Sequence, residues 1–156
     1  MKIDVEKIVR EYIDKTIHLS LATVSNNAPW VCEVHFVYDE NLNLYFRSLT
    51  SRRHSQEIEA NPNVAGNIVK QHSVDEYPNA IYFEGKAKLL DDKDEQQKIL
   101  VYFQKRLRAD KSILNEAQTA DGHKFYKVTV DNWYAFGKFG GDKGQKYKLV
   151  WNGGAK

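Results

Sequence analysis

Before residue 50 the apolar residues of this chain change their spacing once, and that change restricts the fold more than any single motif. Ile3, Val5, Ile8, Val9, Tyr12 and Ile13 recur at roughly helical intervals with charged residues between them. Asp4 is placed to cap the first turn, so an amphipathic helix opens the chain and ends before Thr16. From Ile17 the period falls to two. His18 to Val24 reads as a strand, Asn26-Asn27-Ala28-Pro29 as a turn and Trp30 to Tyr38 as a second strand. Asp39-Glu40-Asn41 makes a further turn and Leu42 to Leu49 a third strand, so a hairpin extends into a meander.

The rest of the chain keeps this character. Thr50 to Ala60 is polar and helix-competent, with Ser51 or Thr50 as its cap and Asn61-Pro62 as its stop, and Asn63 to Val69 returns to strand. Pro78 precedes the alternating run Ala80 to Leu90, the longest strand expected. Asp92 to Arg108 is a helix with Ile99, Leu100, Phe103 and Leu107 on one side, continued by a short segment from Ile113 to Ala117. Lys124 to Phe136 and Lys146 to Trp151 are strands separated by the glycine-bearing loop Gly137 to Gly144. Six or seven strands and three helices in an order that is not strictly βαβα disfavour a parallel doubly wound sheet. The pattern predicts a mainly β chain with peripheral helices (α+β), a small antiparallel barrel. At 156 residues it is expected to form one domain, 1–156.

Charge and cysteine count remove several function classes. Lys plus Arg total 23 against 21 Asp plus Glu, a net charge of +2, too little to hold nucleic acid through bulk charge. Any anion site must be local. The single cysteine, Cys32, excludes an internal disulfide framework and the usual four-ligand zinc patterns, and it fits a reducing compartment, so the cytoplasm is the expected location. A lone strand thiol is ordinarily a small hydrophobe rather than a nucleophile. Met1 to Thr16 contains no uncharged apolar run, so neither a signal peptide nor a membrane span is expected. The histidines His18, His35, His54, His72 and His123 lack metal-ligand spacing, and His54 is read as a solvated helix position, with reinforcement of a phosphate site as the alternative.

One segment stands out chemically. In Tyr45-Phe46-Arg47-Ser48-Leu49-Thr50-Ser51-Arg52-Arg53-His54 a strand ends in hydroxyl and basic residues where a helix begins. Free backbone N–H groups, the positive end of the helix dipole, hydroxyls and two adjacent arginines together suit a phosphate. The alternative is a capped surface helix with solvated arginines. Position favours the anion site, because basic side chains in a first turn oppose the dipole unless an anion compensates.

These stretches and their order resemble the FMN-binding split-barrel family related to pyridoxamine 5'-phosphate oxidase. The matching residues are Leu21-Ala22-Thr23-Val24-Ser25, Leu44-Tyr45-Phe46-Arg47-Ser48, Ser51-Arg52-Arg53, Asn61-Pro62-Asn63-Val64-Ala65 and Phe83-Glu84-Gly85. They cover residues 15–90, and the ending Phe136-Gly137-Lys138 is similar to one subgroup. The resemblance implies an antiparallel split β-barrel of six to seven strands and a homodimer with FMN at its interface. Ser51, Arg52 and Arg53 would bind the FMN phosphate, and Phe46, Arg47 and Ser48 would line the ribityl chain. Trp30, Val31, Cys32 and Glu33 would offer backbone hydrogen bonds to the flavin ring edge. Trp133 or Lys138 of the second copy would close the site, although core or interface packing serves equally for Trp30, Trp133 and Phe139.

The chain also departs from the family's vitamin oxidases. Their Tyr-Phe-x-x-Arg-Pro segment for the substrate phosphate is matched by Tyr102-Phe103-Gln104-Lys105-Arg106-Leu107 without the Pro. Their C-terminal Arg-x-His element has no counterpart near Lys146-Tyr147-Lys148, and their flavin-contacting Gln falls at Ala80. The expectation is therefore an FMN-dependent oxidoreductase acting on a small redox molecule, without vitamin oxidase activity, without a catalytic side chain, and without nucleic acid or membrane as partner. A non-catalytic flavin- or haem-binding protein on the same barrel is the alternative.

Overall fold

The computed structural model describes residues 2–155. Its strands are β1 (His18–Ser25), β2 (Ala28–His35), β3 (Val37–Tyr38), β4 (Leu44–Ser48), β5 (Asn63–Ile68), β6 (Ala80–Leu90), β7 (Lys124–Gly137) and β8 (Gln145–Val150). Helices α1 (Val5–Ile13), α2 (Arg53–Ala60), α3 (Lys93–Leu107) and α4 (Ile113–Glu116) accompany them. The strands form one antiparallel sheet in the order β2-β1-β5-β6-β7-β4-β3, with β8 added beside β7. This is the split-barrel, α+β architecture.

The expected strand Trp30 to Tyr38 is interrupted at Phe36, and the interruption curls the sheet. Phe36 is fully buried and its N–H donates to Ile17 O at 3.0 Å, after which the chain leaves β1 and joins β4 as β3. Since β2 and β3 are the two ends of the sheet, the one residue between them ties those ends together. Closure at one end relieves the edge-strand problem only in part. Farther along, β2 and β4 run side by side without pairing in the register, which leaves a seam.

Alternation divides the apolar residues between two cores. Leu19, Leu21, Leu44, Phe46, Phe83, Tyr126, Val128 and Trp133 fill the barrel interior, with α1 contributing Val9, Tyr12 and Ile13. The opposite faces of β4 and β7 carry Tyr45 and Phe125 into a second cluster with Ile99, Leu100 and Phe103 of α3 and Ile113 of α4. The strand Ala80–Leu90 has 11 residues, but β7 exceeds it at 14, because β7 pairs with β6, β4 and β8 in turn. No helix among the described residues is long and apolar enough to cross a membrane.

Candidate functional site: the barrel seam

A cleft of about 570 Å³ lies along the seam. One wall is Glu33, Val34 and His35 of β2, and the floor is Arg47 and Ser48 of β4 with His54 of α2. The other wall is apolar: Phe103 and Leu107 of α3, Ala109 of the α3–α4 connection and Ile113 of α4, closed by His123 just ahead of β7. A volume in this range, with an apolar wall and few convergent polar groups, suits a small-molecule ligand.

At one end of the cleft stands the first turn of α2, which is uncapped. Arg52 holds the N-cap position with extended backbone and no side-chain bond to the turn, so neither Ser51 nor Thr50 caps the helix as expected. No acidic residue occupies the first turn. The first N–H groups of α2 and the dipole's positive end therefore remain available to an anion. Arg52 and Arg53 differ: Arg52 is exposed and in no ion pair among the described residues, whereas Arg53 lies over the Trp30 ring at 4.3 Å. Arg53 Nε also donates to Glu57 at 3.1 Å. Trp30 thus orients an arginine from β2, a role that residue spacing does not reveal.

His54 is buried, not solvated. Its Nε2 lies 2.8 Å from Ser48 Oγ, and burial, with Arg52 beside it, pushes its pKa below the usual histidine value. Glu57, behind it, accepts from Thr23 Oγ1 at 2.5 Å, a bond that holds its carboxyl below the usual range. Burial, with Glu57 adding to it, pushes the Cys32 thiol up, away from a reactive thiolate.

The remaining expected residues fall in three places. Phe46 is fully buried and stacked on Tyr126 with centroids 5.1 Å apart, so its side chain belongs to the barrel core and does not line the cleft. Arg47 and Ser48 do line the cleft; Arg47 donates to Glu116, and its buried Nε has no partner among the described residues. Trp30, Val31, Cys32 and Glu33 lie on β2, an edge strand whose outer backbone groups are unpaired. Trp133 is fully buried, which settles it as core within its own chain. Lys138 lies over Tyr77 at 4.3 Å, on the loop after β7.

The vitamin-oxidase-like pair is engaged elsewhere. Arg106 donates to Thr16 O at 2.7 Å, Ile13 O at 3.2 Å and Asp14 at 3.1 Å, and stacks on Tyr38 and Phe36. Tyr102 donates to Glu40 at 2.5 Å. Both fasten α3 to the α1–β1 connection and the β3–β4 turn. The meeting of Glu116 and His123 with Arg47 had no signal in the sequence, since Glu116 stands 69 residues from Arg47.

The donor set fits a flavin phosphate at the α2 turn, with free helix N–H groups and two arginines there, and the orphaned Arg47 Nε lies on β4 where Arg47 lines the cleft. Comparison with known proteins agrees with the architecture. Residues 5–137 match the family model described as pyridoxamine 5'-phosphate oxidase. A haem-binding protein from Mycobacterium smegmatis is similar at 15% identity and a TM-score of 0.76, covering 98% of this chain and 60% of that one. The chain thus spans about 60% of that relative's length. A NimC/NimA family protein from Clostridium acetobutylicum is 16% identical, with a TM-score of 0.63, over 92% and 91% of the two chains. General Stress Protein 26 from Bacillus anthracis is 19% identical, with a TM-score of 0.64, over 94% and 100%. No curated protein sequence matches. With its family model matched from α1 through β7 and its sheet curled and split as in these structures, the chain belongs to the pyridoxamine 5'-phosphate oxidase family.

Proposed function

We propose that this protein is an FMN-dependent oxidoreductase whose flavin lies in the seam, at the interface of a homodimer. The observation that carries this is the uncapped, acid-free first turn of α2: His54 of that turn lines a ligand-sized cleft, Arg52 and Arg53 stand beside His54 in the chain, and Ser51 lines a separate small cavity. Arg52, Arg53 and Ser51 hold the phosphate; Arg47, Ser48 and the Phe46 backbone follow the ribityl chain. The backbone of Trp30, Val31, Cys32 and Glu33 bonds the ring edge, and Lys138 of the second copy closes over it. The flavin, when bound, supplies the two-electron chemistry, and the protein supplies orientation and electrostatics. Pyridoxine phosphate is not a substrate on this reading, since Arg106 and Tyr102 are tied into the fold.

The outer sheet face supports the second copy. Residue pairing sets Glu33, Ser20, Asn67, Tyr82, Tyr134 and Lys148 in one row across six strands, beside a row running from Val31 through Ala22 and Ala65 to Val150. Val31 and Val150 are each 59% exposed. Two copies placed face to face about a two-fold axis along the strands bring Glu33 against Lys148 and Val31 against Val150, twice over, while Ala22 and Ala65 allow close approach.

Three imidazoles in the cleft, His35, His54 and His123, favour haem as the second reading. One experiment separates the two. The purified protein is titrated with FMN and with haemin, and the FMN-loaded form is mixed anaerobically with NADPH, NADH and pyridoxamine phosphate while flavin absorbance is followed. Flavin uptake with bleaching by a nicotinamide supports the proposal. A haem Soret band with no flavin uptake supports the second reading, and rapid bleaching by pyridoxamine phosphate restores the vitamin oxidase.

A further inference from the structure

Of the three cleft imidazoles, one is oriented by a carboxylate and still has a nitrogen to offer. His54 engages Ser48 through Nε2, and His35 packs against His18 with ring centroids 4.8 Å apart. His123 instead directs Nδ1 to Glu116 Oε1 at 2.8 Å, while its Nε2 has no hydrogen bond among the described residues and the ring lines the cleft. Glu116 is itself held from three directions: by that ring, by the His123 backbone N–H at 3.2 Å, and by Arg47 Nη2. Those donors, the His123 ring first, hold the Glu116 carboxyl down at about 2, so it is an anion at any working pH. A fixed anion at Nδ1 keeps that nitrogen protonated, which leaves Nε2 as the site where a proton is gained or given. A proton-transfer group oriented in this way by a third residue is the arrangement that acid–base chemistry requires.

We propose that His123 is the proton donor to a conjugated carbonyl compound of the quinone class reduced in the seam cleft, with Glu116 and Arg47 as its positioning residues. This rests on the flavin reading above. The substrate's ring lies against Phe103, Leu107 and Ile113, which places an oxygen toward the polar floor. A hydride carrying two electrons, drawn originally from a nicotinamide donor, adds to one oxygen of the quinone. The displaced π electrons shift through the ring to the other oxygen, which takes the proton from His123 Nε2. The products are the hydroquinone and a neutral imidazole, and solvent reprotonates the half-exposed ring. The charged and titratable groups around this ring are Glu33 and His35 on β2, Arg47 on β4, His54 on α2, Glu116 on α4 and Lys124 on β7. The Lys124 ammonium is turned to the carbonyls of Ala117 and Thr119, so Glu116 alone is in hydrogen-bonding contact with the His123 ring.

The test uses the FMN-loaded dimer, reduced anaerobically with NADPH and then mixed with menadione. His123→Gln is expected to slow reoxidation by about 10²–10⁴-fold and to remove its pH dependence. In the flavin-free protein, the His123 ring nitrogens are followed by NMR, and Glu116→Ala is expected to abolish the hydrogen-bonded Nδ1–H signal. Unchanged reoxidation in His123→Gln, or a hydrogen-bonded Nδ1–H signal that persists in Glu116→Ala, overturns this inference and leaves the flavin reading standing. A protein that takes up no flavin overturns both.

Discussion

Arg52 and Arg53 lie side by side in sequence but in different states, one free and one clamped between Trp30 and Glu57. Each charge-assisted bond to a phosphate is worth on the order of 1.5–3 kcal/mol, so replacing both with Ala should weaken FMN roughly a hundredfold or more by fluorescence titration. Riboflavin, lacking the phosphate, should bind weakly and respond little to the double substitution; equal loss for both ligands would mean damage to the fold. His54 makes a pH prediction at the same scale. Its pKa is lowered in the folded state, so the unfolded chain binds more protons on the acid side of about pH 6.5, and stability is lost as pH falls through that range. His54→Gln should flatten the dependence of the urea midpoint between about pH 7 and 5. A slope identical to that of the wild type would show that another group is responsible.

Among the elements, α2 and α3 begin in opposite ways. Asp92 caps α3, accepting from the Glu95 N–H at 2.8 Å, with Asp94 and Glu95 in its first turn. Helix α2 has neither a side-chain cap nor an acid there. Asp92→Ala should therefore cost about 1 kcal/mol in urea unfolding, whereas Ser51→Ala should stay within about 0.5 kcal/mol of wild type in the absence of phosphate. A large loss in Ser51→Ala would restore the capped-helix reading of the sequence. Gly85 shows the same economy in a strand. It stands at the register shift between β6 and β7, and a Cβ there would meet Thr129 O at 2.2 Å and Val130 Cα at 2.9 Å. Because the obstacle is backbone, Gly85→Ala should lose about 1–3 kcal/mol with an unchanged denaturant slope.

At the scale of the whole molecule the proposed dimer makes a charge-swap prediction. Light scattering at micromolar concentration should give about twice the chain mass. Glu33→Lys places like charges opposite Lys148 of the second copy and should shift the protein toward monomer, and Glu33→Lys combined with Lys148→Glu should restore the dimer. A monomer that still binds FMN would refute the shared interface, and a double variant no better than the single would refute this pairing of faces.

Periodicity and turn chemistry in the chain itself determined the elements: the opening helix from Ile3, Val5, Ile8 and Val9, the β1–β2 hairpin, the helix from Asp92 and the two closing strands. They also determined that an anion-suited segment ends one strand, because hydroxyls, arginines and a helix start are local features. Closure was decided only in three dimensions. Nothing about Phe36 as a residue announces that it joins the two ends of a sheet; that depends on β4 lying where β3 can reach it. The burial of His54, the removal of Arg106 to the α1–β1 connection, and the meeting of Arg47, Glu116 and His123 are equally tertiary. Helices α3 and α4 bring those last groups together by packing Phe103 and Ile113 onto the outer face of β4 and β7. Contacts between residues so far apart in sequence follow from packing and burial, which a local pattern cannot encode.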